Sequence, residues 1–383
     1  MLPLFYVISH YSNLPFRAWE QRKFIEIINR LSKTSNSSIL PKVEYEDIIA
    51  EEGRLNKDIS NKFDSRKGIL FQPKNILYGK LRPYLKNWLY PDFKGVAVGD
   101  FWVFEAIEAT PRFIYNLIQS DSYQKVANDT AGTKMPRSDW TKVSNSSFFI
   151  PKESSEQKRI GTFFKQLDDT IALHQRKLDT LKQMKKGLLQ QMFPKSEEDV
   201  PKIRFADFDE EWYQRKLGEE FEKINERNDG SFGKTHWISV AKMYFVEPNK
   251  VLSNNIDTRT YVMRKGDIAF EGHSNTDFKF GRFVANDIGP GIVSELFPVY
   301  RHKTNYDNNY WKNAIQLEHI MAPIYSKSIT SSGNSSNKLD SKHFLNQKIY
   351  IADFEEQEKI GSIFKQLDNT IILYQNKLNK FDI

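Results

Sequence analysis

The sequence predicts a mixed α/β (α+β) protein of two similar halves, each a globular domain followed by a long helix. Three observations lead there. Residues 156–178 (EQKRIGTFFKQLDDTIALHQRKL) recur 200 positions later as residues 356–378 (EQEKIGSIFKQLDNTIILYQNKL), with 15 of 23 positions identical. A shorter opening motif, Trp19-Glu-Gln-Arg-Lys23, returns as Trp212-Tyr-Gln-Arg-Lys216. Between these motifs the two texts diverge almost completely, so the order is variable, conserved, variable, conserved, and a period this long changes the fold expected of the whole chain.

The first variable half carries an apolar run from Gly95 to Phe104 (GVAVGDFWVF) that reads as a strand, and a helical stretch from Pro111 to Val126. The second half has the same elements in the same rank: Gly291 to Tyr300 as a strand and Tyr310 to Tyr325 as a helix. Polar loops lie at 32–38, 132–139, 272–281 and 331–341, and such loops are where a scaffold exposes specificity. The conserved segments are helices by periodicity. Ile160, Phe164, Leu167, Ile171, His174, Leu178, Leu181, Leu188 and Met192 recur at steps of three, four or seven, and Ile360, Phe364, Leu367, Ile371, Tyr374, Leu378 and Phe381 repeat the stripe. Ser154-Ser-Glu-Gln157 and Asp353-Phe-Glu-Glu356 are start signals, and Pro194 is the stop of the first helix. A helix over residues 155–193 would be ~55 Å long and must pack on something. Its simplest partner is the second copy, which predicts two long antiparallel helices forming a coiled coil, with Ile160, Phe164, Leu167, Ile171, Leu178 and Leu181 facing Ile360, Phe364, Leu367, Ile371 and Leu378 across a pseudo-twofold internal repeat. The expected domains are residues 1–150, 151–195, 196–350 and 351–383.

Composition narrows the function. At 383 residues with 39% hydrophobic and 27% charged residues the chain is globular, with two or three domains. It has no cysteine, which removes disulfides, thiolate metal sites and a cysteine nucleophile. The first sixteen residues lack the basic start and cleavage pattern of a signal peptide, and no apolar run approaches ~18 residues, so a soluble, cytoplasmic protein is expected. The net charge of +7 suits a polyanionic partner. Between Lys158 and Lys195 nine basic residues face three acidic ones, which fits a solvated face as well as a DNA- or partner-binding one.

The sequence shows no complete catalytic constellation. Gly230-Ser-Phe-Gly-Lys-Thr235 lacks the first glycine of a phosphate-binding loop, since Asn228 stands there, and Gly289-Pro-Gly291 lacks the third glycine of a dinucleotide fingerprint. The seven histidines form no metal-ligand pair, and no nucleophile elbow or Pro-Pro methyltransferase tetrapeptide occurs. Asp92-Phe-Lys94 and Asp277-Phe-Lys279 have the D-x-K spacing of some metal-dependent nucleases, without a companion acid.

The two W-x-Q-R-K motifs, the two E-Q-x-K/R-I-G…F-K-Q-L-D-x-T-I-x-L helices, Lys185–Pro194 (KKGLLQQMFP) and Val200–Phe205 (VPKIRF) together resemble the specificity (S) subunits of Type I restriction-modification systems, over the whole chain. The preface VPKIRF does not recur before Trp19, where only Leu14-Pro15-Phe16 remains, and no KKGLLQ continuation follows the second helix. The resemblance implies two target recognition domains, each reading half of a bipartite asymmetric sequence in double-stranded DNA. It implies helices that space the domains and dock two methyltransferase subunits, with restriction/motor subunits completing the complex. The chain would then be non-catalytic and bind no cofactor or metal, with S-adenosylmethionine held by the methyltransferase and ATP and Mg by the motor subunit. Expected DNA contacts are Lys80, Arg82, Tyr84, Lys134 and Arg137 in the first half and Ser274, Asn275, Lys279, Arg282, Asn334, Asn337 and Lys338 in the second, since arginine suits guanine and asparagine suits adenine. A self-sufficient nuclease using Asp92 or Asp277 is the alternative; a coiled-coil scaffold without DNA leaves the two unlike domains unexplained.

Overall fold

The computed structural model describes residues 19–62, 65–130, 134–195, 198–252, 256, 258–332 and 336–381. The expected DNA contact Asn334, the residues before Trp19 and Gly132 lie outside the described residues. The chain divides into two compact units, residues 1–170 and 171–383.

In the first unit, β1 (Trp19–Lys23) leads into a single helical turn, α1 (Phe24–Ile27), and β2 (Ile28–Leu31). Short strands β3 (Thr34–Ser35), β4 (Lys42–Val43), β5 (Ile48–Ile49) and β6 (Arg54–Leu55) precede β7 (Gly68–Phe71), β8 (Ile76–Gly79), β9 (Trp88–Leu89), β10 (Gly95–Ala97) and β11 (Phe101–Ala106). Helices α2 (Pro111–Gln119), α3 (Asp121–Ala127) and α4 (Trp140–Asn145) come next, then β12 (Ser147–Pro151) and the long helix α5 (Ser154–Gln191). The central sheet has the order β2-β11-β8-β9, all antiparallel, and a second has the order β3-β7-β10-β4. β12 returns to pair with β1, Trp19 opposite Pro151, which closes the unit just before α5 begins.

Both faces of the central sheet are covered. Along β11, Trp102 and Phe104 enter a core with the helical residues Phe113, Ile114 and Tyr123, while Phe101 and Val103 enter another with Val43 and Phe71 from the second sheet. This alternation into two apolar layers explains why the sequence reads as an unbroken hydrophobic run. The expected single strand from Gly95 to Phe104 is therefore two strands in different sheets, broken at Val98–Asp100, where Gly99 turns the chain at φ +100°. Likewise the expected helix from Pro111 to Val126 is two, because Ser120 leaves helical geometry and caps α3 by accepting from the Tyr123 N–H.

The second unit repeats this order. It runs β13 (Tyr213–Lys216), α6 (Leu217–Glu220), β14 (Phe221–Ile224), β15 (Ile238–Ser239), β16 (Tyr244–Phe245), β17 (Thr260–Met263), β18 (Ile268–Glu271), β19 (Arg282–Ala285), β20 (Gly291–Ser294) and β21 (Val299–His302). Helices α7 (Asn308–Ala314) and α8 (Glu318–Ser328), hairpin β22 (Ile329–Ser332) and β23 (Asn337–Leu339), α9 (Ser341–Asn346), β24 (Lys348–Ile351) and α10 (Phe354–Asn379) complete it. The sheet order β14-β21-β18-β19 matches that of the first unit, and β24 closes on β13 as β12 does on β1. Gly291 to Tyr300 is again two strands, separated by a turn ending in Pro298, and the stretch from Tyr310 to Tyr325 again falls in two helices.

The conserved motifs act as docking devices for each long helix. In the first unit Trp19 Nε1 donates to Glu156 Oε1 (3.1 Å), and Gln157 accepts from the Thr110 N–H (2.8 Å) while donating to the Pro151 carbonyl (2.9 Å). In the second, Trp212 Nε1 donates to Glu356 Oε2 (3.0 Å), and Gln357 accepts from the Asp307 N–H (3.4 Å) and donates to the Ala352 carbonyl (2.9 Å). Gly361 lets the N-terminus of α7 lie against α10: a Cβ there would fall 1.9 Å from Asp307 Oδ1 and 2.9 Å from the Tyr310 nitrogen. The signature E-Q-x-K/R-I-G is thus a tether to the preceding domain.

Within the second unit, residues 171–191 of α5 and helix α10 run in opposite directions. His174 packs on Tyr374 (5.5 Å between centroids), Lys185 Nζ bonds Asp368 Oδ1 (2.6 Å) and Phe193 meets Phe364 (6.1 Å), so rising numbers on one meet falling numbers on the other. Leu178, Leu181, Ile360, Phe364, Leu367 and Ile371 share one core, with Leu378 packed against it. In the first unit Ile160 packs on the core of its own domain, Leu167 is half-buried and Phe164 stays 43% exposed; at the corresponding place Phe364 is fully buried beneath Phe193. Ile171 is half-buried.

Candidate nucleic-acid interface

The expected contacts of each unit come from two loops that the backbone ties together. In the first unit β8 runs into the loop 80–86, and the loop 134–139 precedes α4. Leu81 and Arg137 form an antiparallel bridge, the Arg82 N–H donates to the Pro136 carbonyl (2.7 Å), and the Ser138 N–H donates to the Lys80 carbonyl (2.9 Å). Lys80, Arg82, Tyr84 and Arg137 are thereby brought to one edge. In the second unit β18 runs into the loop 272–281, and hairpin β22–β23 lies beside it through the Asn337 N–H, which donates to the Gly272 carbonyl (2.8 Å). Ser274, Asn275, Lys279, Arg282, Asn337 and Lys338 belong to this second pair.

The charges at these edges are differently committed. Arg137 donates to Asp100 (Nη2–Oδ2 3.0 Å), with Lys80 Nζ 3.7 Å from the same carboxylate. The Arg137 guanidinium holds the Asp100 carboxyl below the usual carboxylate range. Arg82, Tyr84 and Lys134 are exposed and make no side-chain hydrogen bond or ion pair among the described residues. In the second unit Asn275 Oδ1 accepts the Asp277 and Phe278 N–H groups (2.9 Å each), so this oxygen shapes the turn and only its amide nitrogen is left. Arg282 donates to the Ala241 carbonyl (2.6 Å) with its guanidinium 4.7 Å from the Phe278 ring centroid, and Lys279 Nζ lies 5.6 Å from the centroid of Phe280. Ser274, Asn337 and Lys338 make no side-chain hydrogen bond among the described residues.

Each loop pair has a third neighbour that the sequence pattern does not reveal. Hairpin β5–β6 places Glu51 at φ +67°, its N–H donating to the Lys86 carbonyl (3.0 Å) and its carboxylate pairing Lys86 Nζ (3.2 Å). Hairpin β15–β16 offers the Ala241 carbonyl to Arg282 and carries Lys242 and Met243, the latter at φ +48°. Two-residue strands leave no periodicity to read; the Glu51-Glu-Gly53 turn was the single available sign.

The D-x-K triplets gather no acid cluster: among the described residues no three His, Asp or Glu side chains converge as metal ligands. Likewise no helix among the described residues is long and apolar enough to cross a membrane.

A family model described as Type I restriction modification DNA specificity domain matches residues 18–183. Residues 18–183 thus carry a Type I restriction-modification DNA specificity domain. That match covers the first unit and enters the helix shared by both; the second unit repeats the same frame. A Type I restriction-modification S subunit from M. genitalium is 14% identical, with a TM-score of 0.58 over 96% of this chain and 94% of that one. A chain from work on complex assembly and conformational transition of the type I R-M system is 17% identical, with a TM-score of 0.52 over 97% and 95%. These likenesses show a shared mixed α/β fold along nearly the full length. No curated protein matches the chain.

Proposed function

We propose that the chain is the DNA-specificity subunit of a Type I complex, with each variable domain reading one half of a bipartite asymmetric target. One observation carries the reading: the same pair of loops, bonded to each other through the backbone, stands at the same place on both repeats of the frame. Side chains with no protein partner among the described residues, Arg82 and Lys134 included, suit phosphate and base edges. Lys80, Arg137 and Arg282, held by Asp100 and Ala241, present a fixed geometry, as bidentate readout of guanine requires.

Helices α5 and α10 form the antiparallel coiled coil of a pseudo-twofold scaffold. The helices act as the spacer, whose fixed rise of about 1.5 Å per residue sets an unread gap between the two half-sites. The repeated helix offers two equivalent faces to two methyltransferase subunits. Those subunits hold S-adenosylmethionine and modify adenine, and restriction/motor subunits that use ATP and Mg complete the assembly; this chain supplies no catalytic group and works in the cytoplasm.

The test is to co-express the chain with its methyltransferase subunit and map methylated adenines across a host genome by single-molecule sequencing. A single split motif is expected, and exchanging residues 19–150 for those of another such protein should change one half of it only. Absence of both complex and motif, with the purified chain cleaving DNA alone, would overturn the reading in favour of a nuclease.

A further inference from the structure

We infer that the turn Arg82–Lys86 is a wedge that enters the target duplex, with Tyr84 and Leu85 unstacking one base step and Arg82 holding the adjacent phosphate. The inference rests on the reading of the chain as a DNA-specificity subunit. Its basis is the build of the turn. Arg82 (φ +50°) and Lys86 (φ +53°) are both left-handed, a conformation that residues with side chains adopt only when their surroundings hold them there. Here both ends are held from outside the turn: Arg82 by its bond to the Pro136 carbonyl (2.7 Å), Lys86 by the Glu51 N–H (3.0 Å). Inside it the Leu85 and Lys86 N–H groups donate to the Arg82 and Pro83 carbonyls (2.9 Å each), and Pro83 is buried.

That rigid frame displays two apolar side chains. Tyr84 is 55% and Leu85 40% exposed. A turn pinned at both ends keeps its shape when loaded, which a wedge needs and an ordinary surface loop does not. The surroundings select the occupant. Among the described residues Arg82 and Lys134 carry charges with no acidic partner, and Lys86 pairs with Glu51. Apolar tips on a loop pair that also carries Arg82 and Lys134, cations with no acidic partner among the described residues, match a nucleic acid, whose stacked bases lie between phosphates, better than an apolar protein groove. Leucine is a common wedge between base steps, and a tyrosine ring stacks on the face that the step then exposes.

The experiment uses the full chain complexed with its methyltransferase subunit on the mapped motif. 2-Aminopurine is placed in turn at every position of the half-site assigned to the first domain, except the methylated adenine. Fluorescence should rise several-fold at one position. Tyr84→Ala and Leu85→Ala should abolish that rise and weaken binding roughly 10-fold, while Tyr84→Phe keeps it, with melting temperatures unchanged because both side chains lie at the surface. A methylated motif with no bright position, or brightness that survives both alanine variants, overturns the wedge and leaves the specificity reading standing. Failure to find any motif overturns both.

Discussion

The internal repeat supplies a matched experiment on one residue type. Glu156 and Glu356 occupy the same position of the repeated helix, and each accepts a hydrogen bond from a tryptophan Nε1. Their surroundings differ. Glu356 is 1% exposed and also receives a two-point bond from Arg204, Nε to Oε1 at 2.9 Å and Nη2 to Oε2 at 2.8 Å; Trp212 is 3% exposed. Glu156 is half-buried, and Trp19 is 48% exposed. Removing the Glu356 carboxylate strands a guanidinium that is only 13% exposed, a loss of about 3 kcal/mol at the lower end of buried-pair deletions because Arg204 keeps its bond to the Glu210 carbonyl. The unsatisfied indole N–H adds up to about 1 kcal/mol. Glu156→Ala leaves an indole that water reaches, worth about 0.5 kcal/mol. In urea, with a slope of about 3 kcal/mol per molar, Glu356→Ala should lower the midpoint of its unit by about 1 M and Glu156→Ala by less than about 0.2 M. Tryptophan fluorescence reports the transition directly. Equal shifts for the two variants would refute the argument that burial, and not the motif itself, sets the strength of this tether. A cycle with Arg204→Met then isolates the pair: the second substitution should recover part of the loss.

Three further outcomes follow from individual sites. His302 lies between Tyr306 (3.8 Å) and Phe221 (4.4 Å) with neither ring nitrogen bonded among the described residues, and burial pushes its pKa down to about 3. The unfolded chain takes up this proton near pH 6.5, so His302 costs nothing above that pH and destabilises progressively as pH falls toward 3; His302→Phe should flatten the stability curve by up to about 2 kcal/mol at pH 5, measured by urea titration. Gly281 stands at φ +82°, and a Cβ there would sit 2.4 Å from the Glu271 carbonyl oxygen, so Gly281→Ala should distort the loop 272–281 and abolish reading of one half-site while the other is retained, seen as a one-sided loss of sequence preference in methylation assays. Arg82→Ala should weaken DNA binding across all sequences and reduce the slope of log K against log salt by about 1, checked by titrations at several salt concentrations.

What the sequence makes legible is what repeats. The helices, their docking motifs and the equivalence of the halves stand out because identical residues serve identical contacts: a tryptophan to a glutamate, a glutamine bridging two backbone groups, a glycine under the next helix. The strands are blurred for a physical reason. Trp102 and Val103 point to opposite faces, and both faces are buried, so no period of two survives in the text and the turns at Gly99 and before Pro298 are swallowed by apolar runs. At the candidate interface the loops are visible as polar stretches, yet their charge states are not. Asp100 lies 37 residues from Arg137, and Ala241 lies 41 residues from Arg282, separations at which local pattern carries no information.

The same contacts explain how one frame can carry different loops. In the first unit the loop pair is fixed by Arg82 to Pro136 and Ser138 to Lys80, and in the second by Asn337 to Gly272; every one of these bonds joins main-chain groups. Such bonds are available to any residue with a free N–H, so side chains in the loops can change without loosening the pair. The tether to the helix depends instead on particular side chains, Trp212 with Glu356 and Gln357 with Ala352, which cannot be exchanged without loss. Sequence drift is therefore permitted at the loop edge and penalised at the frame. The near-complete divergence between the two variable halves, beside 15 identities in 23 positions of the helices, is the pattern that this division of bonding predicts.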